Sequence, residues 1–187
     1  ASIHDTFVEA LVGEVQKQVV GPGTDPNATM GPISTGAQYE RVLTLLNDAV
    51  ASGAQPVTGG HPVARPGWFV EPTVLVNAKP GMRIVEEEQF GPVLPVLAFS
   101  DVEDAVEQAN STPFGLGGSV WSSDIAMATT IAGRLECGLA WVNTHSRQAP
   151  WLPFGGVKDS GLGIENGYEG LKQFTEVQVV HRPATPR

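Results

Sequence analysis

The sequence predicts an α/β protein with a mostly parallel sheet, crossover helices and a final β-strand. Strand-like and helix-like patterns alternate between Val93 and Val142, with three strands and two helices in roughly fifty residues. Such alternation is typical of right-handed crossovers between parallel strands. Gly and Pro are also abundant, at 22 and 15 residues, which indicates many turns between short elements.

Two amphipathic helices are predicted near the start of the chain. Ser2 offers a helix cap and Asp5 an acidic first turn. The apolar residues of this first helix recur at helical spacing: Phe7, Val8, Leu11, Val12, Val15 and Val19. A loop over residues 21–32 follows, and the second helix runs from Ser34 to a stop at Gly53. Its apolar side is predicted to contain Tyr39, Val42, Leu43, Leu46 and Val50.

Short extended segments follow residue 60. Residues 68–70 and 73–76 are mostly β-branched or aromatic and are separated by a short linker containing Pro72, so both are predicted as strands. Residues 93–99 are apolar except for Pro95, which is typical of a buried strand.

The later elements complete the alternation. Ser100 and Glu103 form a capping box that is expected to open a helix through Asn110. The remaining predicted elements are a strand over 117–121, a helix over 124–136, and strands over 139–142 and 175–181.

Composition limits the possible functions. Hydrophobic residues make up 41% and the formal charge is −9, which favours a globular protein and disfavours nucleic-acid binding. A single Cys excludes an internal disulfide and fits a cytoplasmic location. The longest apolar run, residues 93–99, is too short to span a membrane. No signal peptide is visible at Ala1. The chain starts with Ala instead of Met and its first residues already enter a predicted helix, which we interpret as a cut or processed end.

The first unusual motif is EEEQFGPVLPV, residues 86–96. Three adjacent carboxylates are usually a solvated surface run. Here they stand directly before Phe-Gly-Pro and a buried strand, and ligands of parallel sheets gather at loops beside strand ends.

The second motif is LPFGGVKDSGLG, residues 152–163. A phosphate-binding loop has its glycines between a strand and a long helix, and these glycines are not placed in that way. Tight turns and backbone packing therefore explain them better than phosphate binding. Lys158 is interpreted as a surface lysine, and Asn143 as a strand-ending side chain that caps the following loop by hydrogen-bonding nearby backbone.

The chain shows no metal or hydrolase pattern. The histidines His4, His61, His145 and His181 lack metal-ligand spacing, and no G-x-S-x-G sequence is present. We therefore expect no metal site.

Both motifs resemble the carboxyl-terminal part of the NAD(P)-dependent aldehyde dehydrogenase superfamily. The resemblance extends over nearly the whole chain through GPISTGAQYERV (residues 31–42), VEPTVLV (70–76) and FTEVQVV (174–180). It implies that residues 1–172 are part of the catalytic domain and that 173–187 form a terminal oligomerisation strand and tail. It also implies that the nucleotide-binding domain is absent from this sequence.

The resemblance assigns roles to individual residues. Glu88 would hold the ribose hydroxyls on the nicotinamide side of NAD or NADP, and Phe90 would lie against the nicotinamide. Phe154 would form an aromatic wall beside the reacting carbon of an aldehyde substrate.

The same resemblance places Ser146, Arg147 and Gln148 at the mouth of the substrate entrance. Arg147 could pair with a substrate carboxylate, or it could be an ordinary solvated arginine.

The implied parent enzyme oxidises an aldehyde to a carboxylic acid with NAD(P) through a cysteine thioester. Neither its reactive cysteine nor its general-base glutamate matches a residue here, so the segment alone is predicted to be inactive. Cys137 falls where the family has a small residue, and we interpret it as a buried structural thiol.

Two alternatives remain open. The chain could be a non-catalytic oligomerising α/β module, or a fragment of an acylating or reductase member of the superfamily. In the family the terminal strand joins a neighbouring subunit, which predicts a homo-oligomer, whereas an ordinary edge strand would fold back on its own domain.

Overall fold

The computed structural model describes residues 2–182 and 184. The chain divides into two compact units, Ala1–Asp101 and Val102–Arg187. Ala1, which we interpreted as a cut or processed end, lies outside the described residues. So do Pro183 and residues 185–187 of the predicted tail.

The first unit begins with two helices and then alternates strands with a short helix. In chain order its elements are α1 (His4–Val15), α2 (Gly36–Ala51), β1 (Gln55–Thr58), β2 (Thr73–Val76), α3 (Arg83–Glu86) and β3 (Val93–Pro95).

Both predicted amino-terminal helices are present, but α1 does not have the cap that was expected. Ile3, not Ser2, is the N-cap residue of α1, and its side chain makes no capping hydrogen bond. The Thr35 hydroxyl caps α2 by accepting from the backbone N–H of Gln38 at 3.2 Å. The predicted stop of α2 is confirmed, because Gly53 follows the C-cap with φ of 102°.

The buried face of α2 forms the centre of the first unit. Its buried residues are Val42, Leu45, Leu46 and Ala49, and they pack with Val70, Leu75, Ile84 and Val93. The sequence prediction placed Val50 on this face, but Val50 is 46% exposed. The buried positions follow the i, i+3, i+4, i+7 spacing from Val42, which reaches Ala49 instead.

Strand β2 is the central strand of a three-stranded sheet. It pairs antiparallel with β1, which the sequence did not predict, and parallel with β3. The predicted strand over 68–70 is reduced to one isolated bridge between Pro62 and Val70. The predicted strand over 93–99 ends at Pro95, which has no N–H for a ladder bond. Leu94 is 52% exposed, so this strand is not buried throughout.

The second unit contains a strand–helix–strand crossover. Its elements are α4 (Val102–Asn110), β4 (Phe114–Gly115), β5 (Gly117–Val120), α5 (Ile125–Ala132), β6 (Leu139–Val142), β7 (Val157–Lys158) and α6 (Gly167–Lys172). Strands β5 and β6 are parallel, which confirms the predicted crossover through α5. Asp124 caps α5 by accepting from the Met127 N–H at 2.9 Å.

The predicted sheet type is only partly seen. Pairs β2–β3 and β5–β6 are parallel, whereas β1–β2 and β4–β7 are antiparallel. Within the described residues the strands form three small sheets and no single parallel one. The α/β class is therefore confirmed, and the mostly parallel sheet is not.

The predicted strand over 175–181 makes no ladder with the described part of this chain. Its apolar side chains are open to solvent, with Val177, Val179 and Val180 each more than 80% exposed. The segment therefore does not fold back as an edge strand of its own domain. No helix in the described residues is both long enough and apolar enough to cross a membrane.

Candidate functional site

The first motif begins at the end of α3, and its carboxylates Glu87 and Glu88 lie in the loop that leads to β3, which we call the acidic loop. Glu86 ends α3 and its carboxylate accepts from the backbone N–H of Gly81 at 2.9 Å. Glu87 binds Arg83 through Nε at 2.6 Å and Arg41 through Nη2 at 3.1 Å. Two of the three carboxylates therefore belong to the internal structure of this loop.

Glu88 differs from its two neighbours. It is exposed, and its carboxylate has no hydrogen bond or ion pair among the described residues. Its backbone carbonyl, in contrast, accepts from both Nε and Nη2 of Arg41 at 3.2 Å. The main chain is held while the carboxylate remains available to a ligand.

Electrostatics in the loop follow from these contacts. The hydrogen bond from Arg83 lowers the pKa of Glu87, opposed by a smaller effect of burial, and the charges of Arg83 and Arg41 lower it further. The same hydrogen bond raises the pKa of Arg83. The ionised state of this pair is thus favoured beside Glu88.

Phe90 presents its ring to solvent. Its backbone lies in the left-handed region at φ of 48°, which is uncommon for an aromatic residue, and the residue is 77% exposed. Phe90 borders a groove of about 660 Å³ in the first unit. The groove is also lined by Met30, Gly31, Pro32, Ile33, Ser34, Thr35, Gln38, Val70, Gly91 and Pro92.

Gly91 allows the close approach of this loop to α2. A Cβ at Gly91 would lie 2.4 Å from a methyl group of Val42, which is fully buried. Only glycine fits without displacing the core, so the loop next to Phe90 is fixed against the helix.

Phe154 belongs to the second unit. Its backbone forms a bridge with Glu165, with both N–H to O distances at 2.7 Å. The half-buried ring borders a concavity of about 570 Å³. The other lining residues include Leu116, Leu162, Ile164, Gln173 and Phe174.

The other predicted substrate residues form an exposed turn. Ser146, Arg147 and Gln148 are exposed, and none of them borders the concavity of Phe154. Ser146 has φ of 53°, and the Arg147 carbonyl accepts from the Trp141 indole at 2.8 Å. The structure therefore groups these three residues with each other but not with Phe154.

Asn143 hydrogen-bonds backbone groups, as predicted, but they belong to Ser122 of another loop and not to its own loop. Its Oδ1 accepts from the Ser122 N–H at 2.9 Å, and its Nδ2 donates to the Ser122 carbonyl at 2.8 Å. These bonds tie the loop after β6 to the loop after β5.

The predicted surface position of Lys158 is confirmed, since the residue is exposed; its ammonium binds Glu136 at 2.8 Å and the carbonyl of Asn110 at 2.7 Å. The prediction for Cys137 is corrected. Cys137 is half-buried rather than fully buried, and its thiol donates to the Leu139 carbonyl at 3.0 Å. The thiol is held by the start of β6, which agrees with a structural role.

The turn interpretation of the glycines in the second motif is confirmed. Gly161 and Gly163 have φ of 132° and 91°, and a Cβ at Gly156 would lie 2.6 Å from the Ser160 side chain.

The contribution of α2 was not predicted from the sequence. Gln38 and Arg41 lie one turn apart on this helix and face the acidic loop. Their i, i+3 spacing was the available signal. In the described part of the chain no cluster of His, Cys, Asp or Glu could hold a metal ion.

Comparison with known proteins identifies the family. The model of the aldehyde dehydrogenase family matches residues 1–180. This chain belongs to the aldehyde dehydrogenase family. The mitochondrial aldehyde dehydrogenase of Leishmania tarentolae is 39% identical over 180 residues, which cover 96% of this chain and 36% of that protein.

Solved aldehyde dehydrogenases have the same fold over this region. An aldehyde dehydrogenase from Bacillus cereus (E194S mutant) matches with a TM-score of 0.90 and 37% identity, covering 95% of this chain and 36% of that one. Betaine aldehyde dehydrogenase from Staphylococcus aureus, in complex with NAD+, matches with a TM-score of 0.87 and 38% identity over 92% of this chain and 35% of that one. The chain thus spans just over a third of the length of these relatives.

Proposed function

We propose that this chain is the carboxyl-terminal segment of an NAD(P)-dependent aldehyde dehydrogenase, which oxidises an aldehyde to a carboxylic acid. Residues 1–172 would be part of the catalytic domain and 173–187 the oligomerisation strand and tail. The family match over residues 1–180 supports the assignment. The single Cys of the chain agrees with a cytoplasmic enzyme.

The observation that carries the proposal is the isolation of the Glu88 carboxylate. The carboxylates of Glu86 and Glu87 have protein partners, while that of the exposed Glu88 has none among the described residues. An ionised carboxylate only accepts hydrogen bonds, and its two oxygens fit two adjacent hydroxyl groups of a ribose. Glu88 therefore holds the ribose on the nicotinamide side of NAD or NADP.

Phe90 contributes an apolar face beside this carboxylate. The ring is 77% exposed although the backbone that carries it is fixed against α2 through Gly91. An aromatic face held in this way limits the motion of a nicotinamide ring. When bound, NAD or NADP supplies the electron acceptor for aldehyde oxidation.

The second unit contributes to the substrate entrance. In this proposal Phe154 forms an apolar wall of the entrance. Ser146, Arg147 and Gln148 form its mouth as an exposed turn, which does not border the Phe154 concavity. The Arg147 side chain makes no ion pair among the described residues, so its charge is available to a substrate carboxylate. Replacing Arg147 with Met tests this role: a selective loss of acidic aldehydes over neutral ones supports it, and an equal effect on both excludes it.

The nucleophile comes from elsewhere in the parent enzyme. Cys137 is the only thiol in this sequence, and it is half-buried and donates to the Leu139 carbonyl. The 187-residue chain by itself is therefore expected to oxidise no aldehyde.

The terminal segment joins a second subunit in this proposal. Val177 and Val179 are exposed, and residues 175–181 make no ladder with the described part of their own chain. Such a segment can add to the sheet of a neighbour through main-chain hydrogen bonds. A non-catalytic oligomerising module would share this property, so oligomerisation alone does not distinguish the two functions.

The test compares two isosteric changes in an aldehyde dehydrogenase that contains this chain. Replacing Glu88 with Gln removes the charge that would face the ribose, and the KM for NAD(P) is expected to rise about tenfold. Replacing Glu86 with Gln keeps an oxygen for the Gly81 N–H and is expected to leave KM unchanged. Equal KM values in both variants would contradict the role of Glu88.

A further inference from the structure

Helix α2 holds two successive carbonyl groups of the acidic loop. Arg41 donates to the Glu88 carbonyl through two nitrogens at 3.2 Å, and the Gln38 side-chain amide donates to the Gln89 carbonyl. Gln38 and Arg41 are three positions apart, so they project from the same side of the helix. The donors therefore fix the peptide groups on both sides of Gln89.

The loop also fastens itself. The Gln89 side chain accepts from the Gly91 N–H at 2.6 Å and donates to the Val93 carbonyl at 2.7 Å. Glu87 keeps the Arg41 guanidinium in place at 3.1 Å, while Arg83 binds the same carboxylate. The carboxylate of Glu88 and the ring of Phe90 are the groups of this loop that stay free for a ligand.

We infer that Arg41 is a positioning residue, which sets the direction of the Glu88 carboxylate by holding the carbonyl of the same residue. The inference rests on the proposed cofactor role of Glu88. Arg41 touches no reacting atom in it. Its effect is to present Glu88 and Phe90 in one fixed arrangement before the dinucleotide arrives, which lowers the ordering cost of binding.

The partial exposure of the Arg41 side chain indicates that it contributes little to the stability of the fold. The Arg41 and Glu87 side chains are 43% and 32% exposed, and ion pairs of this kind contribute little to global stability. Loss of Arg41 should therefore change cofactor affinity far more than it changes the unfolding of the protein.

The experiment replaces Arg41 with Met and with Lys in an aldehyde dehydrogenase that contains this chain. R41M is expected to raise the KM for NAD(P) about tenfold while kcat stays within about twofold of wild type. R41K retains a charged donor, so its KM for NAD(P) is expected to lie between those of wild type and R41M. The control is R65M, since Arg65 is an exposed arginine that stacks over Phe69 and does not contact the loop.

A second readout follows the ligand-free protein. The Gly91 amide is bonded to the Gln89 side chain, so its hydrogen exchange reports the order of the loop. R41M is expected to speed this exchange at least about threefold, and R65M to leave it unchanged. If R41M does not fold, R41K carries the test, with an expected rise in KM of about threefold.

The outcomes separate the two proposals. A raised KM in both E88Q and R41M, with faster Gly91 exchange in R41M, supports the positioning role. A raised KM in E88Q with an unchanged KM in R41M overturns the role of Arg41 and leaves that of Glu88 intact. If neither variant changes KM, the cofactor role of Glu88 fails, and the positioning role fails with it.

Discussion

A Cβ atom on Gly138 would lie 1.6 Å from the carbonyl oxygen of Gly155. Gly138 directly precedes β6, and Gly155 belongs to the second glycine-rich motif, so the two backbones touch where only hydrogen fits between them. This contact explains why residue 138 is glycine.

Replacing Gly138 with Ala should therefore be costly. We expect G138A to lower the free energy of unfolding by about 3 kcal/mol or more, because two backbone segments must separate. G133A is the matched control, since a Cβ there meets nothing closer than 3.6 Å and the residue has helical φ of −66°. Urea denaturation measures both variants, and similar values for the two would contradict the contact.

Asn143 is expected to stabilise the protein both through its side-chain hydrogen bonds and through its tolerance of a positive φ. Its amide makes two bonds to Ser122, and its φ of 51° disfavours most other residues. N143A is expected to destabilise the protein by about 2 kcal/mol. N143G loses the same bonds but tolerates the backbone, so it should recover part of the loss. An N143G variant less stable than N143A in thermal unfolding would argue against backbone strain here.

The core prediction concerns the centre of the first sheet. Leu75 is fully buried in β2 against the α2 face. L75A is expected to cost about 2–5 kcal/mol, because the cavity loses both transfer energy and packing contacts. L94A, on the half-exposed Leu94 of β3, should cost less than about 1 kcal/mol. Chemical denaturation of both variants checks the difference.

Acid should weaken the Arg83–Glu87 contact. The hydrogen bond from Arg83 lowers the folded-state pKa of Glu87 below its unfolded value. The ionised carboxylate thus stabilises the fold above the unfolded pKa, and this contribution is lost as pH falls through the folded pKa. The stability difference between wild type and E87Q should therefore shrink below pH of about 4.3. A difference that stays constant from pH 7 to pH 3 would rule out this linkage.

Local sequence signals predicted the elements whose partners lie close in sequence. The stop at Gly53, strand β2 and the β5–α5–β6 crossover follow from glycine geometry and apolar runs. Contacts between distant segments were not predicted. Lys158 binds Asn110 and Glu136, and β1 pairs with β2 across a long loop, neither of which periodicity reveals.

The candidate site shows the same division. The family resemblance of the motif assigned the roles of Glu88 and Phe90 from their neighbours in sequence, and both roles stay predictions. The role of Arg41 depends on a contact 47 positions away, and the separation of the 146–148 turn from the Phe154 concavity depends on the folded loop.

The most direct test of the cofactor site divides the dinucleotide into its two halves. In an aldehyde dehydrogenase that contains this chain, nicotinamide mononucleotide and ADP are measured as competitors of NAD(P), with wild type and E88Q. The account predicts that E88Q weakens inhibition by nicotinamide mononucleotide about tenfold and leaves that by ADP unchanged, because Glu88 holds the nicotinamide-side ribose. Equal inhibition of wild type and E88Q by nicotinamide mononucleotide would contradict it.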